Sequence, residues 1–268
     1  MDYNAGNVTV LELLERYISL KQGVRNATKV GYGFVFNLVK KNDSQKRIAL
    51  TQEQEDLFMN FIRTDKHYRC YYDEFVVLLE TGMRVSELCG LTKQQLDFEN
   101  RRIWVDHQLV RKPDCTYYVE KTKTESGCRF IPMTDNVYKA LKNIIAKRQR
   151  PAKEWLIDGY SGFLLLDKNG NPKVAMHIEH HFQWALKKYR KLHPDQPLPK
   201  ITPHVFRHTF CTKMAHAGMD IKSLQYLMGH SDAGVTMNVY THATYDHAEA
   251  TMQKILRPSL PEGERKSG

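Results

Sequence analysis

The stretches HVFRHTF at 204–210 and MGHSDAGVTMNVYTH at 228–242 bring His204, Arg207, His230 and Tyr240 close together in the chain. These are two imidazoles, a permanent cation and a phenol, a set suited to an anionic reaction centre. A guanidinium offers phosphate oxygens a planar fork of donors, and an imidazole donates or exchanges a proton near neutral pH. A phenol, which ordinarily loses its proton only near pH ~10, is inert until its oxygen is oriented and cations stabilise the charge developing around it. One chemistry open to such a set is attack by Tyr240 on a phosphate.

Each residue also has a plainer account. If 203–216 is helical, His204, Arg207 and His208 stand at i, i+3 and i+4 and share a face. A metal-dependent hydrolase using His204, His208 and His230 is one alternative, but the pattern lacks the glutamate of H-E-x-x-H and sets the Arg207 charge against the ion. Taken alone, H-x-x-R-H reads as a polar helix face with one histidine satisfied in the core. In TGMRVSELCGLT (81–92), Gly82 ends a helix and Arg84 sits just beyond it. A lone arginine there is ordinarily a surface salt-bridge residue, yet it can also be held rigidly towards a phosphate, with Glu87 either orienting it or capping the next helix. KTKTESGCRFIP (121–132) sets lysines at the tip of an expected hairpin, which is either a solvated basic turn or a mobile ammonium for a leaving group. A tyrosine in a short amphipathic segment, like Tyr240, most often packs.

The elements that must position these groups follow from periodicity. Val10, Leu13, Leu14, Tyr17 and Ile18 recur at helical spacing, and a second helix is expected over 26–40. The polar run KKNDSQKR breaks the pattern as a linker. Thr51 and Gln54 form a capping-box pair before the stripe Leu57, Phe58, Phe61, Ile62. A helix over 68–81 stops at Gly82. The runs 101–110, 116–123 and 128–133 are rich in β-branched and aromatic residues and predict one small antiparallel sheet whose second turn carries KTKTESG. Asn169-Gly170 predicts a further hairpin. Helices are expected over 134–149 and 174–191, with two or three more between 203 and 257. The class expected is α+β, mostly α, with a small antiparallel sheet.

The 268 residues suffice for one large domain or two unequal ones, and 41% hydrophobic with 26% charged residues is ordinary for a globular protein. The formal charge of +10 and a pI near 9.3 favour polyanionic partners. Five widely spaced cysteines without C-x-x-C form neither a disulfide framework nor a zinc ribbon and suit a reducing interior. MDYNAGNVTV shows no secretory signal, and the apolar runs FVVLL and FLLL are too short to span a bilayer. These features lead to the expectation of an intracellular protein, with no membrane partner.

In order, T-G-M-R-x-S-E-L-x-G-L, a hairpin lysine, H-x-x-R-H-T, L-M-G-H-S and a tyrosine before T-H resemble the catalytic domain of tyrosine recombinases, the phage integrase family. KTKT…RFIPM and MGHSDAGVTMNVYTHA look most like the integrases of conjugative transposons, and the resemblance covers about 46–258. It implies a site-specific DNA recombinase that integrates or excises a mobile element without cofactor or metal; G-x-x-x-x-G-K-[ST] is absent from the sequence. Carried over, Tyr240 attacks the scissile phosphate, leaving a 3′-phosphotyrosyl bond and a free 5′-hydroxyl. Arg84 and Arg207 clamp the non-bridging oxygens, His230 donates to them, Lys123 is the general acid, and His204 is an acid/base group near Tyr240. Lys121 competes with Lys123, which is favoured because it lies within T-K-T near the tip; His208 is read as structural.

The resemblance further implies double-stranded DNA as partner, a homo-tetramer on DNA built from two dimers, a monomer without DNA, accessory DNA-bending proteins and a cytoplasmic, nucleoid-associated location. The expected division is 1–45, a shortened helical clamp-like segment, and 46–268, a catalytic domain with a C-terminal tail whose first helix docks on a neighbouring protomer or frays. Family members usually place a clamp of about a hundred residues ahead of the catalytic domain. The short leading segment therefore opens an alternative: a DNA-binding relative impaired in strand exchange.

Overall fold

Thr51 opens a helix because its hydroxyl accepts from the Gln54 amide while the Gln54 side chain accepts from the Thr51 amide. Two otherwise unpaired donors are thus satisfied by one reciprocal pair. This computed structural model describes Tyr17 and residues 49–121, 127–148, 151, 153–231, 234, 236, 237 and 252. The chain divides into two units, Met1–Ile48 and Ala49–Gly268. In the first, Tyr17 is helical and exposed; the helix expected over 26–40 lies outside the described residues.

The second unit runs α1 (Gln52–Thr64), a 3-10 turn (Tyr68–Tyr71), α2 (Tyr72–Thr81), α3 (Val85–Gly90), a 3-10 turn (Lys93–Gln95), β1 (Leu96–Asp97), β2 (Arg102–Val105), β3 (His107–Arg111), β4 (Tyr117–Lys121), β5 (Arg129–Pro132), α4 (Asp135–Lys147), α5 (Ala175–Leu192), α6 (Pro203–His216) and α7 (Ile221–Met228). The fold is α+β, mostly α, with small antiparallel sheets. Among the described residues no helix is long and apolar enough to cross a membrane.

The strand arrangement corrects the expectation of a single sheet. The run 101–110 breaks at Asp106: β2 pairs with β1 and β5, while among the described residues β3 pairs only with β4. Side-chain bonds accompany the break. His107 turns its ring inward, with Nε2 2.8 Å from the Gly90 carbonyl and Nδ1 2.6 Å from the Asp106 carboxylate, so side-chain bonds re-aim the chain where a ladder would continue. Among the described residues β4 and β5 therefore belong to different sheets and are not paired with each other. Near Asn169-Gly170 the turn forms, with the Gly170 amide donating to Asp167 O at 3.0 Å, but pairing is limited to the bridge Leu166–Pro172. Pro172 has no N–H with which to extend a ladder.

The core is organised by four phenylalanines with no exposed surface, Phe58 on α1, Phe75 on α2, Phe182 on α5 and Phe206 on α6. Phe75 and Phe182 stack with centroids 4.0 Å apart, and Phe206 meets Phe182 edge-on at 4.8 Å. Apolar burial drives the four helices together, and the ring geometry sets how they meet. This cluster seats α6 against α2; Arg207 directly follows Phe206 on α6, and Arg84 stands three residues past the end of α2.

Candidate active site

α2 ends in Gly82, whose φ of 62° is the left-handed cap that favours glycine. A Cβ there would lie 2.3 Å from Phe210 Cδ1, so packing against α6 also excludes a side chain. The cap leaves the Gly82 carbonyl facing α6, where it accepts from Arg207 Nη1 at 2.7 Å. Two residues on, Arg84 is the N-cap of α3, and Glu87 one turn later accepts from the Arg84 amide and from Arg84 Nη1, both at 2.8 Å. Glu87 therefore both caps the helix and orients the guanidinium, the two roles the sequence left open.

The second wall is the C-terminus of α7. A helix leaves its last carbonyls without intrahelical partners and carries partial negative charge there. Three consecutive carbonyls at this end are each taken by a different arginine. Leu227 O accepts from Arg129 Nε at 2.7 Å, Met228 O from Arg207 Nη2, and Gly229 O from Arg84 Nη2 at 3.1 Å. Gly229 makes the turn with φ 60°, and His230 follows. The turn is closed by the His230 amide on Gln225 O at 3.2 Å and by Gln225 Nε2 on His230 O at 3.1 Å.

The structure thus gathers Arg84, Arg207 and His230 around one backbone corner. His204 lies a turn before Arg207 on α6, at the exposed surface near the helix start. His208 follows Arg207 and is half-buried. Lys121 closes β4, while Lys123 and Tyr240 lie outside the described residues. Among the described residues no group of three or more His, Cys, Asp or Glu is placed to hold a metal ion, so His204, His208 and His230 do not form the cluster that the hydrolase alternative requires.

One member of the site escaped sequence reasoning. Arg129 has no exposed surface and is the largest fully buried side chain among the described residues. Its Nη2 and Nη1 donate to the two Glu87 oxygens at 2.8 and 3.1 Å, and Nη1 also reaches Gly127 O at 3.1 Å. The signal was there to read. In Arg-Phe-Ile-Pro, strand alternation sets Arg129 on the same face as Ile131, and that face is buried. An arginine in an inward strand position has to be paired.

The electrostatics follow from three guanidiniums facing one carboxylate. Burial works to raise the Glu87 carboxyl, and the Arg129 hydrogen bonds with the Arg129 and Arg84 charges outweigh it, holding Glu87 below its ordinary value. Burial, then the Arg84 and Arg129 cations, push Arg207 down to about 9, which leaves it charged at neutral pH. Burial and the Arg207, Arg84 and Arg129 charges push His230 down to about 4. His230 is therefore a neutral imidazole at pH 7, with Nδ1 3.0 Å from the hydroxyl of buried Thr236. When that hydroxyl donates to Nδ1, the ring carries its proton on Nε2 as a donor. The unbalanced positive charge is a site for an anion.

The family model of phage integrases matches residues 49–247. The chain belongs to the phage integrase family. It is 46% identical over 231 residues to the transposase from transposon Tn916 of Enterococcus faecalis, covering 86% of this chain and 56% of that protein. The tyrosine recombinase XerC of Bacillus pumilus is 30% identical over 176 residues, 65% of this chain and 50% of that one. The chain spans about half the length of the curated relatives it matches. Among solved structures, the Tn1549 transposon integrase in complex with a circular intermediate DNA superposes with a TM-score of 0.74 at 36% identity, covering 93% of this chain and 100% of that one. Within the phage integrase family, the likeness to conjugative-transposon relatives agrees with what the sequence motifs resemble.

Proposed function

We propose that this chain is a site-specific DNA recombinase of a mobile element, cutting and rejoining double-stranded DNA through a 3′-phosphotyrosyl intermediate. The observation that carries the reading is the corner at Leu227–Gly229, where one helix end collects Arg129, Arg207 and Arg84 with Glu87 as the sole carboxylate among their described partners. A phosphodiester transition state spreads negative charge over its non-bridging oxygens, and preorganised donors aimed at that charge are the largest catalytic contribution such a site can make.

In this reading Tyr240 Oη attacks phosphorus and gives up its proton, with His204 as the nearby acid/base group. The bond to the 5′-oxygen breaks, and that oxygen takes a proton from Lys123, with Lys121 as the competing donor. Arg84 and Arg207 hold the non-bridging oxygens, and neutral His230 adds a hydrogen bond. A second strand's 5′-hydroxyl reverses the step, so the bond energy stays in the phosphotyrosine and no nucleotide is consumed.

Residues 1–45 are assigned to a clamp-like DNA-holding segment and 46–268 to the catalytic domain. The active assembly is a homo-tetramer on DNA acting in the cytoplasm at the nucleoid, with DNA-bending accessory proteins. The solved complex of the Tn1549 integrase with circular intermediate DNA supports the nucleic-acid partner.

The test is covalent trapping on a nicked duplex built on the Tn1549 circular-intermediate sequence. The parent chain should form a protein–DNA adduct mapping to Tyr240, and Tyr240→Phe should form none while still binding the duplex. An adduct that persists in the phenylalanine variant would defeat the nucleophile assignment. Binding should also weaken with salt, log K falling by about 0.9 per decade of salt for each phosphate neutralised; affinity indifferent to salt would contradict a backbone footprint.

A further inference from the structure

We propose that Arg129 is a positioning residue for strand cleavage, the side chain that locks Arg84, the His230 corner and the base of the lysine-bearing segment into one register. The inference rests on the recombinase reading above, which gives Arg129 no part in any step of the reaction.

The geometry is a three-way junction made by one guanidinium. Through Nη1 and Nη2 Arg129 grips both oxygens of Glu87, whose same two oxygens hold the Arg84 amide and guanidinium. Through Nε it holds Leu227 O, one carbonyl before those that hold Arg207 and Arg84. Through Nη1 it also holds Gly127 O, the first described residue after 122–126, the segment that contains Lys123. A Cβ on Gly229 would come within 2.7 Å of Arg129 Nη1, so the guanidinium lies directly beneath the turn that leads into His230. β5 supplies the anchor, because Val105 pairs with Arg129 and Ile103 with Ile131 in the three-stranded sheet.

Arg129 has no exposed surface, so it does not touch DNA; it acts through Glu87 and through the helix end. Its planar fork is what the junction needs. The bonds to Glu87, Leu227 and Gly127 leave in three directions from one rigid plane, and an ammonium on a flexible stem cannot serve all three at once. A misplacement of about 1 Å at a reacting centre costs on the order of 100-fold in rate, so loosening this junction should appear in the chemical step and not in DNA affinity.

The experiment compares the parent chain with Arg129→Met and Arg129→Lys. Single-turnover adduct formation is read on the nicked Tn1549 circular-intermediate duplex, and duplex affinity is read separately. The guanidinium NMR signals of Arg84 and Arg207 are recorded without DNA. Arg129→Met should lower the cleavage rate by on the order of 100-fold, change affinity by less than about threefold, and set the Arg84 guanidinium rotating faster. Arg129→Lys, which keeps the charge and supplies a second variant if the methionine chain does not fold, should recover less than about a tenth of the loss because it cannot fork. Parental cleavage rates in a folded variant, or equal losses in rate and affinity, would overturn the positioning role, as would full rescue by lysine. A parent chain that forms no adduct counts against the recombinase reading itself. The guanidinium signals then decide on Arg129 alone, unchanged Arg84 dynamics in the variants being the result that sinks it.

Discussion

Two centres meet around α2 and α6, built from opposite chemistry. One is the set of four phenylalanines, Phe58, Phe75, Phe182 and Phe206; the other is the set of three arginines, Arg84, Arg129 and Arg207. The aromatic centre coheres because apolar surface leaves water, an effect with little directionality, and it holds helices together without prescribing where any single atom must lie. The guanidinium centre gains from charge-assisted hydrogen bonds, which fix atoms to tenths of an ångström but cost heavily if any partner is missing. Placing the second on the scaffold of the first separates the task of staying folded from the task of aiming donors.

The separation should be visible in substitutions, beginning with the largest effect. Phe182→Ala should cost about 3–5 kcal/mol of stability by emptying the aromatic centre, while folded molecules keep near-parental cleavage. Urea unfolding alongside single-turnover cleavage measures both, and a variant that stays stable but loses cleavage would erase the distinction. Arg207→Ala should do the reverse. Its cleavage rate should fall by about 100- to 1,000-fold, or roughly 3 kcal/mol of transition-state stabilisation, with a smaller stability loss of about 1–3 kcal/mol for the stranded carbonyls of Gly82 and Met228. Equal cleavage by variant and parent would remove Arg207 from the chemistry.

A subtler probe is Gly229→Ala, which adds one methyl at a φ of 60° and against Arg129 Nη1. It should cost about 1–2 kcal/mol of stability and slow cleavage disproportionately; a loss confined to stability would show that the corner tolerates displacement.

The smallest expected effect is in pH. His230 and His181 are held down to about 4 and about 3, chiefly by burial, from an ordinary 6.5. Below 6.5 the unfolded chain takes up protons that the folded chain refuses, so their contribution is fully present above 6.5 and is lost as pH falls towards those values. His181 stacks on Tyr71 with centroids 3.7 Å apart, and its buried Nδ1 has no hydrogen-bond partner among the described residues, so His181→Phe should flatten the fall in melting temperature between about pH 7 and about pH 5. An unchanged slope would assign the loss to other groups.

What the sequence made legible divides along the same line. Local signals read well: the Thr51–Gln54 box, the stop at Gly82 and the stripe of α1 depend on neighbours in the chain and appear where expected. The sheet read poorly, because pairing is long-range. Nothing within 101–110 announces that β2 seeks β5 while β3 turns to β4, and the deciding bond, His107 to Gly90, spans seventeen positions. Motif spacing pointed to Arg84, Arg207 and His230, but not to the means of their convergence, since the acceptors are main-chain carbonyls, which every residue carries alike. Arg129 was overlooked for a related reason: it sits in a strand, and its importance rests on partners at 87 and 227.

Those carbonyl acceptors also bear on how the protein can change over time. An anchor made of side chains vanishes with one codon change, whereas the oxygens of residues 227–229 persist whatever amino acids occupy those positions, so long as the backbone keeps its course. Drift in the residue types there is then limited by packing and by the one glycine at the bend, leaving the grip on three cations insulated from most single-base mutations.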